Sequence, residues 1–185
     1  ENPLTRAKIE LGRQLYFDAR ISGDQTISCA SCHSPEHAFA ADTQFGVGIR
    51  GLTGNRNSPP AYNRILSDTQ FWDGRASNLE EQAAGPVHNP LEMGSNWAEV
   101  LAKLAQDDAL IQQMKAAYPD GLQAKNIQDS IAVFERSLVT PNARFDKYLK
   151  GDKSALSSDE LKGYQLFKAY GCVACHQGVN VGGNM

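Results

Sequence analysis

Cys29-Ala30-Ser31-Cys32-His33 and, much further along, Cys172-Val173-Ala174-Cys175-His176 are the stretches that decide how this chain reads. Together they use all 4 cysteines, and each unit ends in a histidine. Cys-x-x-Cys-His is the pattern of covalent c-type haem attachment: two thiols add to the haem vinyl groups, and the adjacent histidine supplies the proximal iron ligand. Thioredoxin-like redox sites and zinc knuckles also use a single Cys-x-x-Cys. A four-cysteine zinc site would need neither histidine. Two complete units with no cysteine left over therefore predict two covalently bound c-type haems, with His33 and His176 on the irons.

The contexts of the two units are related. Gly12-Arg13-Gln14-Leu15-Tyr16 precedes the first and Gly163-Tyr164-Gln165-Leu166-Phe167 the second, so both share Gly-x-Gln-Leu-aromatic. This supports an internal duplication of a small cytochrome module, with a longer spacer in the first copy. The 185 residues leave room for one or two compact domains. Charge is nearly balanced, at 18 Lys and Arg against 21 Asp and Glu, with no positive stripe to suggest a nucleic-acid binder. No apolar run approaches the roughly 18 residues that span a bilayer, so a transmembrane segment is not expected.

Helical signals dominate and predict an all-α fold. Asn2-Pro3 reads as a cap with a proline in the first turn, followed by Leu4, Ala7, Leu11 and Leu15 at helical spacing. Asn96 with Glu99 makes a capping pair ahead of Val100, Leu104, Ile111 and Met114. Ile127, Ile131, Phe134 and Leu138 form another apolar stripe. Ser157 to Glu160 is a capping box before Leu161, Tyr164 and Phe167. Residues 42–96 are rich in Gly, Asn, Pro and Ser and read as a long functional loop. Thr140-Pro141-Asn142 and the turn at Lys150-Gly151-Asp152 suggest a first haem domain over 1–149 and a second beginning at 150. Residues 150–185 are too few to enclose a haem alone, so the second domain is expected to be incomplete. The N-terminus reads as that of a mature or trimmed product.

Iron coordination separates an electron carrier from an enzyme, because a haem with two strong protein ligands passes electrons and one with an open face can bind peroxide. Outside the attachment units stand only His37 and His88, with 3 methionines, Met93, Met114 and Met185. His37 follows His33 too closely to cross the haem, and His88 lies in the turn-rich Gly85-Pro86-Val87-His88-Asn89-Pro90. Met114 sits on a core stripe, and Met185 follows His176 too closely to cross to the opposite face. The first haem thus has no evident sixth ligand.

Phe71-Trp72-Asp73-Gly74-Arg75, then Leu79-Glu80-Glu81-Gln82-Ala83 and Pro86 to Glu92-Met93, together with the two attachment units, resemble the bacterial dihaem cytochrome c peroxidases and their relatives, including the methylamine-utilisation maturase. The resemblance implies two cytochrome c-like domains: a peroxidatic haem in 1–149 and an electron-transfer haem from 150 on. It makes Gln82 and Glu92 the distal catalytic pair, Trp72 the aromatic between the haems, and Asn57 a calcium ligand. It further implies hydrogen peroxide as substrate, a small cytochrome c or cupredoxin as electron donor, a periplasmic location and a homodimer. A carboxylate suits the chemistry, since peroxide must lose a proton from one oxygen and regain one on the other.

In one respect the chain departs from this pattern. Many family members carry a histidine in the loop after the first haem, blocking the distal face until the second haem is reduced. Here Ile49 stands at that position, and no histidine occurs from 38 to 87. The expectation is an oxidised first haem with an open or water-ligated face. The family's second-haem methionine would lie beyond Met185. A maturase-like or oxygenase activity, and a pure electron carrier, are the alternative functions.

Overall fold

The computed structural model describes residues 3–178, and its regular structure is helical. Among these residues, extended pairing is limited to isolated bridges: Ser34 with Ala40, Val47 with Thr53 and Gln70 with Ala76. The all-α expectation therefore holds. The contacts divide the chain into two compact units. One runs to Ile65 and resumes over Thr69–Leu138; the other holds Leu66–Asp68 and the residues from Val139 on. Residues 139–149 thus group with the second unit, whereas the sequence reading left them with the first.

The first unit contains α1 (Arg6–Tyr16), α2 (Cys29–Cys32), α3 (Leu79–His88), α4 (Trp97–Leu104), α5 (Asp108–Ala117) and α6 (Ala124–Ser137). Asn2 lies outside the described residues. The cap of α1 is Thr5, whose hydroxyl accepts from the Lys8 amide, and Leu4 is 54% exposed. Asn78, Asn96 and Asp107 cap α3, α4 and α5 in the same way, each side-chain oxygen accepting from the amide three residues on. The apolar residues from Val100 to Met114 therefore belong to two helices, broken where Asp107 starts a new cap. The stretch 42–96 is likewise not all loop, because α3 lies inside it despite Pro86.

The core forms where α1 crosses α6. Leu11, Leu15 and Tyr16 of α1 meet Ile127, Ile131 and Phe134 of α6, all buried. The Tyr16 ring packs edge-on against Phe134 (5.2 Å between centroids) and Phe39 (5.8 Å). At the crossing, a Cβ on Gly12 would lie 1.8 Å from the Ser130 carbonyl oxygen and 2.9 Å from Phe134 Cβ. The backbones can approach this closely only because residue 12 has no side chain. Polar ties hold the other helices to α6. Arg136 pairs with Glu80 of α3 at 2.6 Å, Tyr118 donates to Asp129 at 2.7 Å, and Lys8 bridges to Asp129 at 3.1 Å.

The second unit contains α7 (Arg144–Leu149), α8 (Ser158–Ala169) and a short helical turn over Cys172–Ala174. The capping box predicted at Ser157 is present: its hydroxyl accepts from the Glu160 amide and the Glu160 carboxylate from the Ser157 amide. Phe145 and Tyr148 meet Tyr164 edge-on, and Arg144 pairs with Glu160. None of this unit's described residues is buried. Around Gly163, the counterpart of Gly12 in the repeat, no other described atom would meet an added Cβ within 4 Å. The two copies share a helix followed by a Cys-x-x-Cys turn, but among the described residues only the first has a helix packed onto its glycine.

Gly12→Ala drives a methyl into the Ser130 carbonyl, and an overpacked crossing costs about 2 kcal/mol or more. The chemical denaturation midpoint of the haem-loaded protein is expected to fall accordingly. An unchanged midpoint contradicts the close crossing.

Candidate haem cavity

The first unit encloses a cavity of about 360 Å³. Its walls come from α2, the loop 46–60, the turn around Phe71 to Arg75, α3, the turn after α3, and α6. Cys29, Cys32 and His33 all line it, with Ile21, Ile27, Val87 and Ile131 supplying apolar surface. Burial pushes the Cys29 thiol up to about 12 and also raises Cys32, so both are protonated thiols at neutral pH.

His33 is oriented for a metal. A carbonyl can only accept, so at 2.8 Å from the Pro59 oxygen the ring's Nδ1 must carry the proton. Nε2 is left as the lone-pair nitrogen, and burial lowers the ring's affinity for a second proton. A backbone hydrogen bond on one nitrogen is how proteins fix the tautomer of a ligating histidine. Two thiols, an oriented imidazole and an apolar cavity fit a thioether-bound haem.

The residues singled out in the sequence converge on this cavity. Gln82 reaches it from α3. Glu92 reaches it from the turn that folds back on the end of α3, where Met93 N–H donates to the Pro86 carbonyl (3.1 Å) and Glu92 N–H to that of Asn89 (3.0 Å). The Glu92 carboxylate accepts from the Asn89 side-chain amide at 2.7 Å. Burial raises its pKa, opposed by that hydrogen bond and by the positive charge of Arg75. The loop after the first attachment unit lies against the same turn: Ile49 N–H donates to the Glu92 carbonyl at 2.8 Å. A Cβ on Gly48 would lie 2.0 Å from the Leu91 oxygen and 2.7 Å from Glu92 Cα. Ile49 itself is buried over Gly94 and is not part of the cavity wall.

Phe-Trp-Asp-Gly-Arg forms a tight turn closed by the Gln70 to Ala76 bridge, with Phe71 and Gly74 at positive φ. The Arg75 guanidinium stacks 3.5 Å from the Phe71 ring. Trp72 lines the cavity yet is 61% exposed, its indole N–H donating to the Asn57 carbonyl at 2.9 Å. Asn57 in turn donates its side-chain amide to the Thr43 carbonyl at 2.7 Å. Among the described residues, no group of three His, Cys, Asp or Glu side chains is placed to hold a metal ion.

Of the other candidates, His37, His88 and Met114 fall away from the cavity. His37 is exposed beside Asp42, His88 is exposed beside Trp97, and Met114 is fully buried in the helical core. Met93 is buried and lines the cavity. Met185 lies outside the described residues. Cys172, Cys175 and His176 sit at the turn after α8, with His176 6.2 Å from the Phe167 ring. Sequence reasoning missed Arg64 and Glu135, which also line the cavity. The signal for Glu135 was available, since it stands four residues after Ile131 on the apolar face of α6.

A helical unit with a Cys-x-x-Cys-His segment in the wall of an apolar cavity defines a c-type cytochrome domain. A model of the di-haem cytochrome c peroxidase family matches residues 6–154, and the chain belongs to that family. It is 45% identical over 182 residues to the cytochrome c peroxidase Ccp of Escherichia coli, covering 98% of this chain and 39% of that protein. It is 43% identical over 176 residues to the cytochrome c551 peroxidase of Nitrosomonas europaea, covering 95% and 53%. Among solved structures, a MauG-like protein associated with microbial copper homeostasis superposes with a TM-score of 0.87 at 31% identity, covering 99% of this chain and 55% of that one. The chain spans about half the length of the relatives it matches, or less.

Replacing Cys29 and Cys32 together by Ala removes both thioether bonds of this cavity. Covalently bound haem, measured by haem stain on denaturing gels and by pyridine haemochrome, is expected to fall to the amount held at Cys172 and Cys175. Undiminished covalent haem would rule the cavity out as an attachment site.

Proposed function

We propose that this chain is the peroxidatic part of a di-haem peroxidase that reduces hydrogen peroxide to two waters, consuming two protons and two electrons. The observation that carries the reading is the convergence of Gln82 and Glu92 on the cavity lined by Cys29, Cys32 and His33. A haem held by Cys29, Cys32 and His33 would supply the iron redox chemistry that the reduction of peroxide requires.

The chain's own residues manage protons and orientation. Glu92 as carboxylate takes the proton that peroxide gives up, and as acid returns it to the departing oxygen. Burial raises its pKa above that of an ordinary carboxylate, which eases the acid half of that exchange. Gln82 orients peroxide by hydrogen bonding without adding charge. His33 holds its place through Pro59. Trp72, lining the cavity with an exposed indole, is the aromatic assigned to electron entry, and Cys172, Cys175 and His176 would hold the second haem.

A small periplasmic cytochrome c or cupredoxin serves as the electron donor, calcium ligation by Asn57 and a homodimer complete the reading, and the protein works in the periplasm. Covalent haem attachment outside the cytoplasmic membrane supports that location. Among the described residues, no helix is long and apolar enough to cross a membrane. A maturase-like oxidation of a larger substrate is the second reading, favoured by the likeness to the MauG-like structure.

Glu92→Gln is expected to lower peroxide turnover by about 10²- to 10⁴-fold while both haems remain reducible. Steady-state assay with reduced cytochrome c checks this, and unchanged turnover favours a pure electron carrier. Because Glu92 acts first as a base, turnover falls as pH drops through its pKa. Asn89→Ala removes the hydrogen bond that lowers that pKa, so the acid limb of the pH–rate profile should move to higher pH. A shift to lower pH contradicts the assignment.

A further inference from the structure

The carboxyl group of Glu135 has no part in the chemistry above. It stands on the core-facing side of α6 in the cavity wall and is only 9% exposed. Its Oε2 is buried without a hydrogen-bond partner. An apolar residue would pack here at less cost, since a buried carboxyl must be desolvated without compensation. A charged residue on an otherwise apolar helix face marks a position where local packing rules yield to function.

The groups that face it come from every neighbouring element. Tyr16 of α1 presents a hydroxyl that is also buried without a partner. Cys29, which α2 contributes to the same wall, feels the Glu135 charge. Arg64 and Arg136 favour the carboxylate, whereas Glu80 of α3 opposes it. Arg136 pairs with Glu80 through Nη2 while its Nη1 is buried without a hydrogen-bond partner, and Arg64 donates to Gln70 Oε1 at 3.2 Å and to the Thr69 carbonyl at 3.2 Å. The pull of these two cations on Glu135 is through space, with no hydrogen bond to its Oε2. Burial dominates and lifts it to about 8.

We propose that Glu135 is the residue at which a proton enters this cavity when its haem accepts an electron. The inference rests on the reading that a haem is bound at Cys29, Cys32 and His33. Ferric haem is formally more positive than ferrous haem by one charge, and in a low-dielectric cavity that charge favours a carboxylate. Reduction removes it. One electron from a one-electron donor and one proton from solvent then convert ferric haem with Glu135 carboxylate into ferrous haem with Glu135 carboxylic acid, and oxidation releases both. The cavity's net charge is thereby conserved through a redox cycle. Glu135 acts here as a positioning residue for charge.

The test is a potentiometric titration of the haem-loaded protein at a series of pH values, following the first haem optically. Between the pKa values of Glu135 in the two redox states, electron affinity should fall by up to tenfold per pH unit, which for a one-electron couple is about 59 mV. Glu135→Gln should flatten this dependence in that range, Glu135→Asp should move the range without abolishing it, and Glu92→Gln should leave it in place. A reduced-minus-oxidised infrared difference spectrum of the unaltered protein should gain a protonated-carboxyl band, still present in Glu92→Gln. A flat profile in the unaltered protein, a slope that survives Glu135→Gln, or a slope and band lost with Glu92 instead overturns the inference while haem attachment stands. Absence of thioether-bound haem at Cys29 and Cys32, read from haem content, overturns the site reading and the inference together.

Discussion

The crossing of α1 and α6 at Gly12 is the constraint on which the first unit depends. Two helix backbones meet there with no side chain between them, and the aromatic ring set of Tyr16, Phe39 and Phe134 fills the angle they leave. That contact fixes the direction from which Ile131 and Glu135 face the cavity. It also sets the starting point of the chain that runs on through α2 to His33. The imidazole is then held from outside the crossing by the Pro59 carbonyl, so a helix pair and a loop together position one ligand.

The second half of the cavity is built with different means. α3 begins at an asparagine cap and ends at Asn89, and the backbone returns over its last turn through hydrogen bonds to Pro86, Val87 and Asn89. This return places Glu92 within reach of the Asn89 amide. The 46–54 loop lies directly against it, so the backbone at Glu92 is pinned from both sides. Electrostatically the two acids of the cavity differ. Glu92 has a hydrogen-bond donor and Arg75 to restrain it, whereas at Glu135, whose Oε2 has no hydrogen-bond partner, burial outweighs the pull of Arg136 and Arg64. In the proposed reading, one acid exchanges protons with substrate and the other responds to charge inside the cavity.

Much of this was legible in the amino-acid order. The Cys-x-x-Cys-His units name the cofactor, and the stripe Ile127, Ile131, Phe134, Leu138 names the core face of α6, all of it buried. Asn96 and Ser157 mark helix starts because a short polar side chain can satisfy a free amide wherever it occurs. Other features escaped because they depend on distant contacts. Helix α3 looked like loop because Gly85 and Pro86 weaken its local signal, and packing on α6 with the Glu80–Arg136 pair overrides it. The start of α1 was misplaced by a few residues, since Asn2-Pro3 and Thr5 carry similar cap chemistry. Glu135 stands on the same apolar face as Ile131, but an apolar stripe does not announce which of its edges will border a cavity. The grouping of 139–149 with the second unit follows from contacts that no local pattern encodes.

The central proposal is that an iron held by His33 would find no second protein ligand in this cavity, leaving a coordination position that peroxide could take. The residue in the position of a blocking histidine is Ile49, buried over Gly94 and outside the cavity wall. The most direct measurement is the electron paramagnetic resonance spectrum of the fully oxidised, haem-loaded protein. The account predicts a high-spin or water-ligated ferric signal for the haem at Cys29 and Cys32. A bis-histidine low-spin signal assigned to that haem would contradict it.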